Sequence, residues 1–214
     1  VPASVRSILL PGPTGQIEGL WKNPGATGRG VAVVAHAHPL HGGTMHFKVV
    51  FRLARALARA GYGVLRFNFR GVGASEGVHD GGRGERDDFR AALDEAVRRG
   101  GVPAIAAGFS FGSVIALSVG TEDARVDAMI GAGVPLDRWK FGGLEGVEKP
   151  ALLVSGSRDV FGDAALLRRE AASRFRDARV EVVDGADHFF TGHLDELESL
   201  AFEFSSARSV EAVR

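Results

Sequence analysis

The sequence predicts an α/β fold, a mostly parallel, doubly wound sheet of about eight strands with helices on both faces. Three observations predict it. Short, wholly apolar runs such as Val31–Ala35 and Pro103–Ala107 have the character of strands buried on both sides. Stretches with apolar residues at helical spacing alternate with them. Finally, the pentapeptide Gly108-Phe109-Ser110-Phe111-Gly112 stands between one such strand and an apolar helix-like run.

The elements follow in order. Val5 to Leu10 and Gln16 to Lys22 are expected to form strands around the turn-rich segment Pro11-Gly12-Pro13-Thr14-Gly15. After the strand Val31–Ala35, Phe47, Val50, Phe51, Ala54, Leu57 and Ala58 define a helix face that Gly61 ends. Val64 to Phe69 is the next strand, and the Gly-rich stretch Asp80 to Gly84 reads as a loop. Phe89, Ala92, Leu93, Ala96 and Val97 mark a second helix, stopped by Gly100-Gly101. The run Ser113 to Val119 is a third helix, with Gly120 as its expected stop. Val126 to Gly133, Ala151 to Val154 and Arg179 to Val183 read as strands. Residues 163–175 and the positions Leu194, Leu197, Ala201 and Phe204 read as helices.

Composition bounds the function. A chain of 214 residues, 45% hydrophobic and 24% charged, suits one globular domain over residues 1–214. Lys plus Arg equals Asp plus Glu at 26 each, so no electrostatic case exists for nucleic acid or an anionic membrane as partner. No apolar stretch approaches the roughly 18 residues of a membrane span, and no signal peptide is visible, so cytoplasm is the default expectation. The absence of cysteine excludes disulfides, thiolate metal sites and a cysteine nucleophile. Oligomeric state is not legible.

The chemistry begins at Ser110. A Gly-x-Ser-x-Gly turn from strand to helix forces the serine into a strained conformation and lifts its hydroxyl clear at the carboxyl end of the sheet. A second match, Gly73-Ala74-Ser75-Glu76-Gly77, starts well after its strand and leads into no helix, so Ser75 reads as turn chemistry. A serine hydroxyl needs a base to take its proton and an acid to orient that base. Asp159 lies just beyond the strand Ala151–Val154, and His188 just beyond the strand Arg179–Val183. The chain order Ser110, Asp159, His188 suits this topology. Asp163 is a rival acid in a helix-capping position, and His193 a rival base near a helix start.

An oxyanion hole requires backbone N–H groups aimed at the developing charge. Phe111, directly after the nucleophile, is one expected donor. The other belongs to the loop His36-Ala37-His38-Pro39-Leu40-His41-Gly42-Gly43, where Pro39 has no N–H. His38 is preferred, with Leu40 second.

These segments carry a resemblance. The histidine loop, Phe67-Asn68-Phe69-Arg70-Gly71-Val72-Gly73-Ala74-Ser75-Glu76-Gly77, the serine turn, Gly156-Ser157-Arg158-Asp159 and Ala186-Asp187-His188-Phe189-Phe190 span roughly residues 30–195. In that order they resemble the alpha/beta-hydrolases, in particular small uncapped bacterial hydrolases of the dienelactone-hydrolase-like or esterase-like kind. The resemblance implies an alpha/beta-hydrolase fold with no substantial cap. It also implies Ser110, Asp159 and His188 as nucleophile, acid and base, with His38 and Phe111 as oxyanion donors. The chain departs from many relatives in carrying Ala37 after the first histidine.

The expected activity is hydrolysis of carboxylic esters of small or medium acyl groups, with a small-molecule ester-like substrate and no cofactor. Thioesters, lactones and peptides or other amides suit the same machinery, and a non-catalytic ligand binder on this scaffold is the alternative from another class. His36, His38, His41 and His46 could suggest a metal site, but residues 31–61 contain no Asp or Glu, so packing and hydrogen bonding are the better expectation. Residues 134–149 leave room for one short helix around Leu136 to Phe141, hence an open site. Met45, Leu136, Trp139, Phe141, Phe161 and Phe189 are candidates for its rim, and Arg70, Arg158 and Lys140 for contact with a substrate carboxylate.

Overall fold

A computed structural model describes residues 5–24, 28–138 and 144–208. Its eight-stranded sheet comprises β1 (Val5–Gly12), β2 (Gly15–Lys22), β3 (Val31–Ala35), β4 (Gly63–Phe67), β5 (Ala104–Phe109), β6 (Val126–Ala132), β7 (Ala151–Gly156) and β8 (Ala178–Val183). The strand order is β1-β2-β4-β3-β5-β6-β7-β8. β1 and β2 form an antiparallel hairpin, β2 runs antiparallel to β4, and every later pairing is parallel.

The apolar runs become strands because a central parallel strand has no solvent face. In β3, Val31, Val33 and Ala35 enter one core and Ala32 and Val34 the other. On the first face lie α2 (Arg83–Gly100), α3 (Phe111–Glu122) and α4 (Ala164–Arg174), with Phe89, Leu93, Ile115 and Leu167 packed inward. The opposite face carries α1 (Lys48–Arg59) and α5 (Leu194–Ser206) through Leu53, Leu57, Leu197 and Ala201. The two are further joined at Glu198, a buried carboxylate that accepts from Arg52, Arg55 and Arg59 at 2.9, 2.6 and 3.0 Å.

Local chemistry moves several boundaries. The hairpin strands extend through Pro11 and Gly12, leaving Pro13-Thr14 as the turn. α2 starts at Arg83, inside the stretch expected to be loop, because the Glu85 carboxylate accepts the N–H groups of Asp80 and Gly82 at 2.9 and 2.7 Å. Gly120 does not end α3. It is buried within the helix, where an added Cβ would press on Met129 and Ala106 of the sheet at 2.9 and 3.1 Å. Its missing side chain lets helix and sheet approach.

The order of strands locates the site. The chain leaves β3 for β4 on one side and later returns to β5 on the other, so the loops after β3 and β5 diverge and open a crevice at the carboxyl ends of the strands.

Candidate active site

Ser110 joins β5 to α3 with φ 54° and ψ −123°, a region costly for any residue with a Cβ. Backbone contacts hold it there. Its N–H donates to the Ala132 carbonyl at 2.9 Å, and its carbonyl accepts from the Ser113 N–H at 2.9 Å. A Cβ on Gly108 would strike the Gly112 carbonyl, and one on Gly112 would strike the backbone of Ala35 and His36. The two flanking glycines therefore let the turn close on itself and seat it against β3.

His188 Nε2 lies 3.0 Å from Ser110 Oγ, and Nδ1 lies 2.9 and 3.0 Å from the two carboxylate oxygens of Asp159. The Asp159 side chain is fully buried, and that of His188 nearly so. A carboxylate on Nδ1 favours the tautomer with its proton there, which leaves Nε2 free to accept from the serine hydroxyl. The Phe161 N–H, donating to Asp159 Oδ1 at 2.8 Å, fixes that carboxylate. On the histidine loop, Asp187 accepts from the N–H groups of Phe189 and Thr191 at 3.0 and 2.9 Å. Those bonds, the one to Thr191 foremost, hold its carboxyl below the usual range. The His188 ring is packed by Phe161, Phe109 and Phe189, with centroids at 4.7, 5.1 and 5.2 Å.

The rivals sit elsewhere. Ser75 is buried in a turn, donating to the Asn68 carbonyl at 2.7 Å and accepting from the Glu18 N–H at 3.0 Å. Asp163 caps α4 by accepting from the Leu166 N–H at 2.7 Å. His193 precedes α5, its Nδ1 at 3.7 Å from Glu196.

The histidine loop turns through a short 3-10 segment, Pro39–His41. The Leu40 N–H donates to His38 Nδ1 at 3.2 Å and so is occupied within the loop. His38 and Phe111 both line the cavity that holds Ser110. The His38 ring packs at a tilt against those of His41 and His79, with centroids 4.7 Å from each. Desolvation, then the two neighbouring imidazoles, lower its pKa. His36 is wholly buried and fully used: its Nδ1 donates to the Ala37 carbonyl at 2.6 Å, and its Nε2 accepts the Phe69 N–H at 3.0 Å. Among the described residues no group of three or more His, Asp or Glu side chains is placed to hold a metal ion, and no helix is long and apolar enough to cross a membrane.

The cavity has a volume of about 470 Å³. Of the rim candidates, Phe161 and Phe189 line it. Met45 and Leu136 do not, because both are buried in the protein body, with the Met45 N–H donating to Asn68 Oδ1 at 2.8 Å. Trp139, Lys140 and Phe141 lie outside the described residues, and residues 136–138 form a turn. Arg70 points away, with Nε and Nη2 on the buried Asp88 carboxylate at 2.9 and 2.8 Å. Arg158 is not in the lining. Three lining residues escape a sequence-based search. Phe47 reads there as part of the α1 core face, while Pro135 and Arg138 belong to a loop without a motif.

The chain shares this architecture with known proteins. A family model described as serine aminopeptidase, S33 matches residues 32–140. An alpha-beta serine hydrolase homologue from Coxiella burnetii is 35% identical with a TM-score of 0.87, over 93% of this chain and 96% of that one. A serine hydrolase without lid from Xanthomonas campestris is 31% identical with a TM-score of 0.86, over 100% of this chain and 99% of the other. An uncharacterised protein of Rickettsia prowazekii (strain Madrid E) is 32% identical over 193 residues, covering 86% of this chain and 81% of the relative. From the eight-stranded sheet and these likenesses together, the chain belongs to the serine aminopeptidase, S33 family of alpha/beta hydrolases.

Proposed function

We propose that the protein hydrolyses carboxylic esters of small or medium acyl groups by a two-step acyl-enzyme route. The observation that carries this is the unbroken series from Asp159 through His188 to Ser110, with contacts of 2.9 and 3.0 Å at the floor of an open cavity. In the first step Ser110 Oγ attacks the ester carbonyl while His188 Nε2 takes its proton. The tetrahedral oxyanion is met by the backbone N–H groups of Phe111 and His38. His188 returns the proton to the departing alcohol as the C–O bond breaks. A water molecule then attacks the acyl-Ser110 ester, again giving its proton to His188, and the acid leaves as Ser110 is restored. Asp159 holds the ring in one tautomer and stabilises its charged form throughout.

Although the family model is described as an aminopeptidase, the lining favours esters. An aminopeptidase must hold a free α-ammonium group, and a carboxylate is the natural partner for it. Among the described residues no Asp or Glu lines the cavity, whose one fixed charge is Arg138.

The test has two parts. A fluorophosphonate probe is expected to label Ser110, with labelling lost in His188→Ala. Across p-nitrophenyl esters of increasing acyl length, aminoacyl p-nitroanilides, thioesters and lactones, the short and medium esters are expected to have the highest kcat/KM. Absence of labelling at Ser110 sinks the mechanism, and a preference for aminoacyl anilides sinks the substrate class.

A further inference from the structure

The cavity above Ser110 has a one-sided electrical character. Phe47, Phe111, Phe161 and Phe189 give it an apolar wall, and among the described residues its ionisable lining apart from His188 is His38, His41 and Arg138. The Asp159 carboxylate is fully buried beneath His188 and does not face the space. Charge complementarity in such a cleft selects anions.

Arg138 is the specific feature. Its guanidinium carbon lies 5.4 Å from the centroid of Phe161, whose ring in turn lies 4.7 Å from that of His188. Other arginines of the fold rest on carboxylates: Arg70 on Asp88, Arg90 on Asp87 and Glu122, Arg125 on Asp94 and Asp123. Among the described residues none lies within ion-pair distance of Arg138, although it reaches the cavity. A guanidinium stacked on an aromatic face is weakly hydrated and keeps its planar fork free, and that fork matches a carboxylate bidentately. Arg138 is itself exposed, so the contact responds to ionic strength.

We propose that Arg138 is a specificity determinant that selects esters bearing a second, free carboxylate. The inference rests on the ester hydrolysis proposed above. Because Arg138 and His188 both contact the Phe161 ring, at 5.4 and 4.7 Å, the spacer between the free carboxylate and the scissile carbonyl is short. Two arrangements share this chemistry: the half-ester of a short dicarboxylic acid, with the charge on the acyl part, and an ester whose alcohol carries the carboxylate.

Matched substrate pairs distinguish them. The acyl arm compares mono-p-nitrophenyl glutarate with its methyl ester, and the alcohol arm compares 3-carboxyphenyl butyrate with its methyl ester, each corrected for uncatalysed hydrolysis. In at least one arm kcat/KM for the free acid is expected to exceed that of the neutral partner about tenfold, as for one charge-assisted bidentate contact. Arg138→Gln is expected to bring that ratio near one and Arg138→Glu to reverse it, while roughly 0.5 M NaCl narrows it in the unmodified protein. The ratio is taken within one variant, so loss of folded protein cancels. No preference in either arm, or a preference that survives Arg138→Gln, overturns the assignment while leaving ester hydrolysis standing. Failure to cleave any of the four esters overturns both.

Discussion

The imidazole of His36 ties the end of β3 to the end of β4, accepting the Phe69 N–H on Nε2 at 3.0 Å. Its other nitrogen donates to the Ala37 carbonyl at 2.6 Å, so a neutral ring of one tautomer is required. Burial lowers the pKa of His36 to about 4, against the opposing effect of the Ala37 bond.

A pH dependence of stability follows from this residue. Between about 6.5 and about 4 the unfolded chain binds a proton at His36 and the folded chain does not, so stability falls as pH falls through that window. The contribution is complete above the unfolded value and its loss levels off below about 4. It amounts to on the order of 3 kcal/mol. Urea midpoints measured from pH 7 to pH 4 are expected to show this slope, and His36→Gln is expected to remove that component while costing about 2 kcal/mol at pH 7.

Ser110 is held in a left-handed conformation that a glycine tolerates better. Ser110→Gly is therefore expected to abolish turnover and yet raise stability by up to about 1 kcal/mol. A thermal melt beside an esterase assay checks both, and an unchanged or lowered melting temperature would argue against stored strain.

Asp159 accepts from both the Phe161 N–H and His188, so Asp159→Asn leaves the backbone anchored but spoils the tautomer. Turnover is expected to drop by about 10⁴-fold with little change in KM. Steady-state kinetics on one short-chain ester decides it.

The elbow glycines are sensitive for steric reasons. Gly112→Ala places a methyl group 2.7 Å from the Ala35 backbone, where no flexible side chain can yield. A loss of about 1–3 kcal/mol or more is expected, together with a fall in kcat as Ser110 shifts from His188. Equilibrium unfolding and single-turnover kinetics would report the two effects separately.

Arg70 and Asp88 form a buried pair, 7% and 0% exposed at their side chains. Asp88 also accepts the Arg70 N–H at 3.0 Å. Arg70→Ala strands a carboxylate in the protein body and is expected to cost about 3–5 kcal/mol. Chemical denaturation measures it.

What the sequence makes legible depends on how local the signal is. Buried strands such as β3 and β5 announce themselves by apolar runs, and Ser110, Asp159 and His188 each stand next to a recognisable strand end. Asp163 is legible as a cap for the same reason. Signals that depend on a distant partner are not. Gly120 looks like a helix stop until Met129 is seen packed against it. Likewise Arg70 is available to substrate on paper, but Asp88, eighteen residues later, claims it. Arg138 lies in no motif, and only the folded loop brings it beside Phe161.

Gly112 has one more consequence. Ser110 is located by main chain resting on main chain, Gly112 on Ala35 and His36. A cavity residue such as Phe47 can then be exchanged to reshape the space while Ser110 keeps its position, whereas Phe161 and Phe189 also pack His188. The seat of Ser110 is thus mechanically insulated from the cavity wall, and selection or design can remodel part of that wall without moving the hydroxyl.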